Sequence, residues 1–80
     1  MAHSTRAPQR RRPADDQLML LPEIAEYVRS TPAGLRYRRH TNDPSAPPIW
    51  RQGRRLVAWK SEIDQWLDEQ RAADEQRRSA

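Results

Sequence analysis

The residues of this chain best suited to recognition chemistry are arginines. Three of them, Arg51, Arg54 and Arg55, stand in the run Trp50-Arg51-Gln52-Gly53-Arg54-Arg55-Leu56-Val57-Ala58-Trp59. Apolar runs on either side of a glycine-bearing basic turn predict a β-hairpin with a cationic tip. A second set, Arg36 and Arg39 with Tyr37 and His40, follows Thr31-Pro32-Ala33-Gly34, a helix-opening pattern. Guanidinium groups offer a planar fork of donors that matches phosphate oxygens and the guanine edge bidentately, so the chemistry expected here is recognition of a polyanion rather than bond-making.

Charge is sorted along the sequence. Eight basic residues (29, 36, 38, 39, 51, 54, 55, 60) face the single acid Asp43 between Arg29 and Lys60, whereas residues 61–80 hold six acids and three arginines. An ordinary solvated surface mixes signs, so a basic middle followed by an acidic end points to a polyanion that meets the middle alone. Fourteen of the fifteen basic residues are arginine. A G+C-rich coding sequence explains part of that excess and none of its clustering.

Composition narrows the field further. Eighty residues at 35% hydrophobic content support one small core and not an enzyme with a deep pocket. There is no cysteine, hence no disulfide, thiolate metal site or thiol nucleophile, and His3 and His40 form no ligand cluster. No cofactor and no catalytic residue are expected. Without a signal-peptide pattern or a run of about 18 apolar residues, the expectation is a protein of the cytoplasm with no membrane contact.

The elements that must position these side chains follow from local pattern. Residues 1–17, with Pro8, Pro13 and Arg10-Arg11-Arg12 but no apolar periodicity, read as a disordered basic tail. Residues 18–70 read as the folded domain and 71–80 as a helical extension with a frayed end. Pro22 opens a first helix over about 22–29, in which Ile24, Ala25 and Val28 share a face with Leu20 and Leu21. Thr31 caps a second helix to about His40. A short turn between two short helices makes a helix-turn-helix.

Within the second helix Leu35 faces the core, and a turn of 100° per residue sends Ala33, Tyr37 and His40 to the opposite face with Arg36 beside them. Arg38 and Arg39 flank Leu35, with stems over apolar surface and heads at the edge. Residues 42–48, with three prolines, are a stiff loop. In the hairpin Leu56 and Ala58 share one face and Val57 and Trp59 the other, and the pattern alone leaves open which face is buried. Ser61-Glu62-Ile63-Asp64 has the form of a capping box with Ser61 as N-cap, and Ile63, Trp66 and Leu67 form the core face of a third helix to about Arg77.

Ile24-Ala25-Glu26-Tyr27-Val28, Leu35-Arg36-Tyr37, Gly53-Arg54-Arg55-Leu56-Val57 and Ser61-Glu62-Ile63-Asp64-Gln65-Trp66-Leu67 together resemble the excisionase-like, MerR-related winged helix-turn-helix family, and in particular the phage excisionases. The resemblance covers about residues 20–70. It implies an α+β fold of two short helices, a two-stranded wing hairpin and a C-terminal helix, and a source such as an actinobacteriophage. It also implies a non-enzymatic recombination directionality factor that binds and bends the repeats of attachment-site DNA and directs an integrase toward excision.

Carried over to matching positions, 32–40 is the recognition helix and Gly53 to Arg55 the wing tip. The expected DNA contacts are then Thr31, Ala33, Arg36, Tyr37, Arg39 and His40 on the helix and Arg51, Gln52, Gly53, Arg54 and Arg55 on the wing, with Lys60 on the backbone. Glu62, Asp64, Asp68 and Glu69 form an acidic surface for other copies, bound head to tail, or for integrase. The chain departs from the family pattern at Arg29 and Ser30, where the turn often has glycine and an aliphatic residue. It departs again at Arg38, where tryptophan is frequent and where Trp50 is the candidate to fill the space. A small MerR-like transcriptional regulator is the second reading. A protein-interaction adaptor working through the acidic third helix is the alternative of another class. RNA binding ranks below these, since no sheet of exposed aromatics is evident.

Overall fold

The computed structural model describes residues 14–79, in the order β1 (Leu18–Leu20), α1 (Leu21–Tyr27), α2 (Pro32–His40), β2 (Trp50–Gln52), β3 (Arg55–Trp59) and α3 (Lys60–Ser79). The fold is α+β: a helix-turn-helix, a hairpin wing and a long closing helix. The arginine run 10–12 and the rest of the expected tail up to residue 13 lie outside the described residues.

The sheet has three strands rather than the two expected, in antiparallel order β1-β3-β2. Leu18, Met19 and Leu20 pair with Trp59, Ala58 and Val57, so β1 covers the edge of β3 that the hairpin leaves open. Leu-Met-Leu is too short for periodicity to separate strand from helix, and its partner lies some 40 residues away. The register also settles the faces. Ala58 and Leu56 join the core beneath the helices, whereas Val57 is buried on the opposite side with Leu20 and Trp50 as cross-strand neighbours.

The core joins Leu21, Ile24 and Ala25 of α1, Leu35 of α2, Ile63 of α3, and Met19 and Ala58 of the sheet, with Val28, Ile49, Leu56 and Leu67 packed around it. Each large aliphatic group fully buried this way contributes about 1.5–3 kcal/mol. α1 starts at Leu21 without a polar side chain at its N-cap, but Glu23 accepts a hydrogen bond from the Leu20 N–H at 2.8 Å, which ties the strand end to the helix.

α3 starts differently from the expectation. Ser61 lies inside the helix instead of capping it, and Asp16 closes the end from outside. The Asp16 carboxylate accepts from the Ser61 N–H at 3.0 Å and from its hydroxyl at 2.7 Å, while the Lys60 N–H reaches the Gln17 carbonyl at 2.8 Å. Asp16 and Gln17, assigned by composition to the tail, are thus hydrogen-bonded to the domain. A distant carboxylate does the work of a local cap because the first helical N–H groups need any acceptor, not a neighbouring one. Beyond Leu67, residues 68–78 are all exposed. Side-chain pairs such as Arg71–Glu75 at 3.2 Å and Arg77–Asp74 at 3.3 Å support that half of the helix.

Candidate nucleic-acid interface

α2 is fixed at three points. At its start the Thr31 hydroxyl oxygen accepts from the Gly34 N–H at 3.0 Å, the N-cap expected from sequence. A Cβ on Gly34 would sit 3.0 Å from that oxygen, so the glycine serves the cap as well as keeping the helix surface small. Leu35 anchors the middle in the core. The third point is Arg38, which the loop 42–48 wraps. Its guanidinium donates to the Ser45 carbonyl and hydroxyl oxygens at 2.8 and 2.7 Å, pairs with Asp43 at 3.6 Å and lies 5.9 Å from the Trp66 ring centre. The Trp66 indole N–H donates to the same Ser45 carbonyl at 3.1 Å.

Arg38 with Ser45, Asp43 and Trp66 occupies the space expected for Trp50. Trp50 does not fill it and remains 37% exposed. Hydrogen bonds from the Ser45 N–H and hydroxyl, with the charge of Arg38, hold the Asp43 carboxyl below the usual carboxylate range.

Clamped this way, α2 presents Ala33, Arg36, Tyr37, Arg39 and His40 to solvent, and Tyr37 is 68% exposed. Arg39 belongs with this exposed set, not with the half-buried Arg38. Opposite stands the wing, whose two-residue tip carries Gly53 at φ 64, between the paired residues Gln52 and Arg55. Positive φ at the first loop position and not at the second is the pattern of a type II′ hairpin turn.

Between helix and wing runs an open cleft of about 470 Å³. Arg36, Arg39 and His40 form one wall, Arg51, Arg54 and Arg55 the other, and Leu20, Leu21, Pro22 and Leu56 the floor. No acid lines it. Among the described residues none of these five arginines has an ion pair, whereas Arg38, Lys60, Arg71 and Arg77 each do. Five unneutralised guanidinium groups around one groove repel one another and have donors to spare, an arrangement relieved by a phosphate chain.

Other expected site residues fall elsewhere. Ala33 and Tyr37 on α2 and Gln52 and Gly53 on the wing are exposed but do not line the cleft. Lys60 is not part of the cleft: its ammonium donates to Asp64 at 3.2 Å and lies 5.3 Å from the Tyr27 ring centre, and Tyr27 donates to Asp64 in turn. The bond to Asp64, then the Tyr27 hydroxyl, raise the Lys60 pKa. The acidic quartet is likewise divided. Asp64 is committed to Lys60 and Tyr27, Glu62 is half-buried, and Asp68 and Glu69 stay exposed, with Glu69 accepting from Gln65 at 3.2 Å.

The described residues include no cluster of His, Asp or Glu that could hold a metal and no helix long and apolar enough to cross a membrane. No family model, curated protein or solved structure matches this chain.

Proposed function

We propose that the protein binds double-stranded DNA sequence-specifically, with α2 in a major groove and the wing in the adjacent minor groove. The observation that carries this reading is the cleft of five unpaired arginines, contributed by both walls of a helix-and-wing pair. The sugar–phosphate strand between the two grooves fits in the cleft. Arg36 and Tyr37 read base edges, while Arg39, Arg51, Arg54 and Arg55 neutralise phosphates. Within DNA binding, the resemblance to excisionases favours a role in bending attachment-site DNA and turning an integrase toward excision, over that of a small regulator.

Four phosphate-neutralising arginines give a slope of log K against log salt of about −3 to −4, at roughly −0.9 per neutralised phosphate. Titration of a labelled duplex at several salt concentrations measures it, and a slope near zero overturns the reading. Specificity has its own test. Arg36→Ala and Tyr37→Ala are expected to reduce discrimination between a site selected from random sequence and a random duplex, each by about 1–3 kcal/mol. Arg54→Ala weakens both duplexes evenly. Should all three act evenly, α2 touches phosphates only.

A further inference from the structure

Both helices of the helix-turn-helix end in the same way, with different residues at the critical position. After α1, the Arg29 N–H reaches the Glu26 carbonyl at 3.2 Å and the Ser30 N–H the Ala25 carbonyl at 2.8 Å. After α2, the Asn42 N–H reaches Arg39 at 3.2 Å and the Asp43 N–H reaches Arg38 at 3.0 Å. These are paired Schellman caps, each needing a left-handed residue, and Arg29 at φ 62 and Asn42 at φ 54 supply it. Asparagine takes this conformation readily and glycine without penalty, whereas the Cβ of arginine crowds the next carbonyl.

The left-handed backbone closes the α1 cap, but glycine would close it without strain, so the cap does not account for the arginine side chain. The Arg29 side chain is exposed and has no ion pair or hydrogen-bond partner among the described residues. A strained residue whose side chain has no partner among the described residues points to a partner outside the protein. The location is specific as well. Arg29 sits in the turn that leads to Thr31, at the N-terminal end of α2, whereas the cleft takes Arg36, Arg39 and His40 from its C-terminal two-thirds. Nine helical residues span about 13 Å, close to the width of a major groove at about 12 Å.

We propose that Arg29 is a further phosphate-binding residue, retained at a left-handed position that glycine would fill without strain because its guanidinium holds the DNA strand on the side of the major groove opposite the cleft. The proposal rests on the DNA-binding reading above. It gives α2 a cation at each end and so fixes its depth and tilt in the groove.

The test compares wild type with Arg29→Gly, Arg29→Asn, Arg29→Lys and Arg54→Ala, by thermal melting and by salt-dependent binding to a short random-sequence duplex. Arg29→Gly and Arg29→Asn are expected to raise Tm, by about 4 °C for glycine, while weakening binding about tenfold and making the salt slope shallower by about 0.9. Arg29→Lys keeps the slope of the wild type. Unchanged affinity and slope in the glycine and asparagine variants, with Arg54→Ala still weakening binding, overturns the role of Arg29 and leaves the cleft intact. A glycine variant that melts no higher than wild type removes the strain argument and overturns it too. If wild type shows no salt dependence and Arg54→Ala changes nothing, the DNA-binding reading itself fails.

Discussion

Arginines of identical chemistry have different fates here, decided by what each side chain can reach. Arg38 is taken up by Ser45, Asp43 and Trp66, and so orders the loop against α2. Its neighbour Arg39, one residue and 100° further round, meets no acid and faces the cleft. The Arg38–Asp43 cluster gives a pH prediction. Folding lowers the Asp43 pKa, so the stabilisation is present above the unfolded value of about 3.9 and is lost as pH falls through the lower folded value. Asp43→Asn is therefore expected to melt below wild type at neutral pH, with the gap closing below about pH 4. Melting curves across that range check it, and a gap that persists in acid means that the carboxylate charge is not what orders the loop.

At the scale of elements, the wing depends on one backbone conformation. Gly53 at φ 64 lets the two-residue tip turn, and a Cβ there would meet no atom within 4 Å, so any penalty for a side chain is backbone strain alone. Gly53→Ala is expected to cost about 1–2 kcal/mol and to weaken binding to every duplex, because Arg54 and Arg55 are displaced together. Denaturant melts and duplex titration measure the two effects. A loss of stability without a loss of affinity would show that the tip arginines need no fixed turn. The same element scale explains β1, whose pairing with β3 brings Leu20 to the floor of the cleft and Asp16 to the start of α3.

The whole molecule separates charge in space. Among the described residues, five unpaired arginines gather around the cleft, whereas on the exposed half of α3 Arg71 and Arg77 pair with Glu75 and Asp74, which leaves Asp68 and Glu69 as its unneutralised acids. A surface of each sign favours head-to-tail contact between copies aligned on DNA, and such a contact need not close into a ring. Under the proposed function the protein is expected to be a monomer in free solution and to bind tandem sites of one orientation cooperatively. Asp68→Lys with Glu69→Lys should lower that cooperativity several-fold while leaving single-site affinity near wild type. Sedimentation and gel shifts on one site against two provide the measurement. A stable free dimer on an inverted repeat would favour the small-regulator reading instead.

Much of this arrangement is determined by the sequence alone. Thr31-Pro32 sets the start of α2, the glycine at 53 with flanking apolar runs sets the hairpin, and the spacing of Ile63 and Leu67 sets the core-facing side of α3, because each signal lies within a few residues of the structure it dictates. The expected residues Arg36, Arg39, His40, Arg51, Arg54 and Arg55 do line one cleft. Only the tertiary structure decided which charges remained unpaired. Lys60 and Asp64 neutralise each other on α3, Arg38 is taken up by a loop, and Asp16 caps a helix that begins 44 residues later. The Lys60–Asp64 pair follows the i,i+4 spacing of one helix, but Asp16 reaches α3 and Ser45 reaches Trp66 across a few ångströms between segments far apart in sequence, and helical spacing or hairpin alternation carries no record of those contacts.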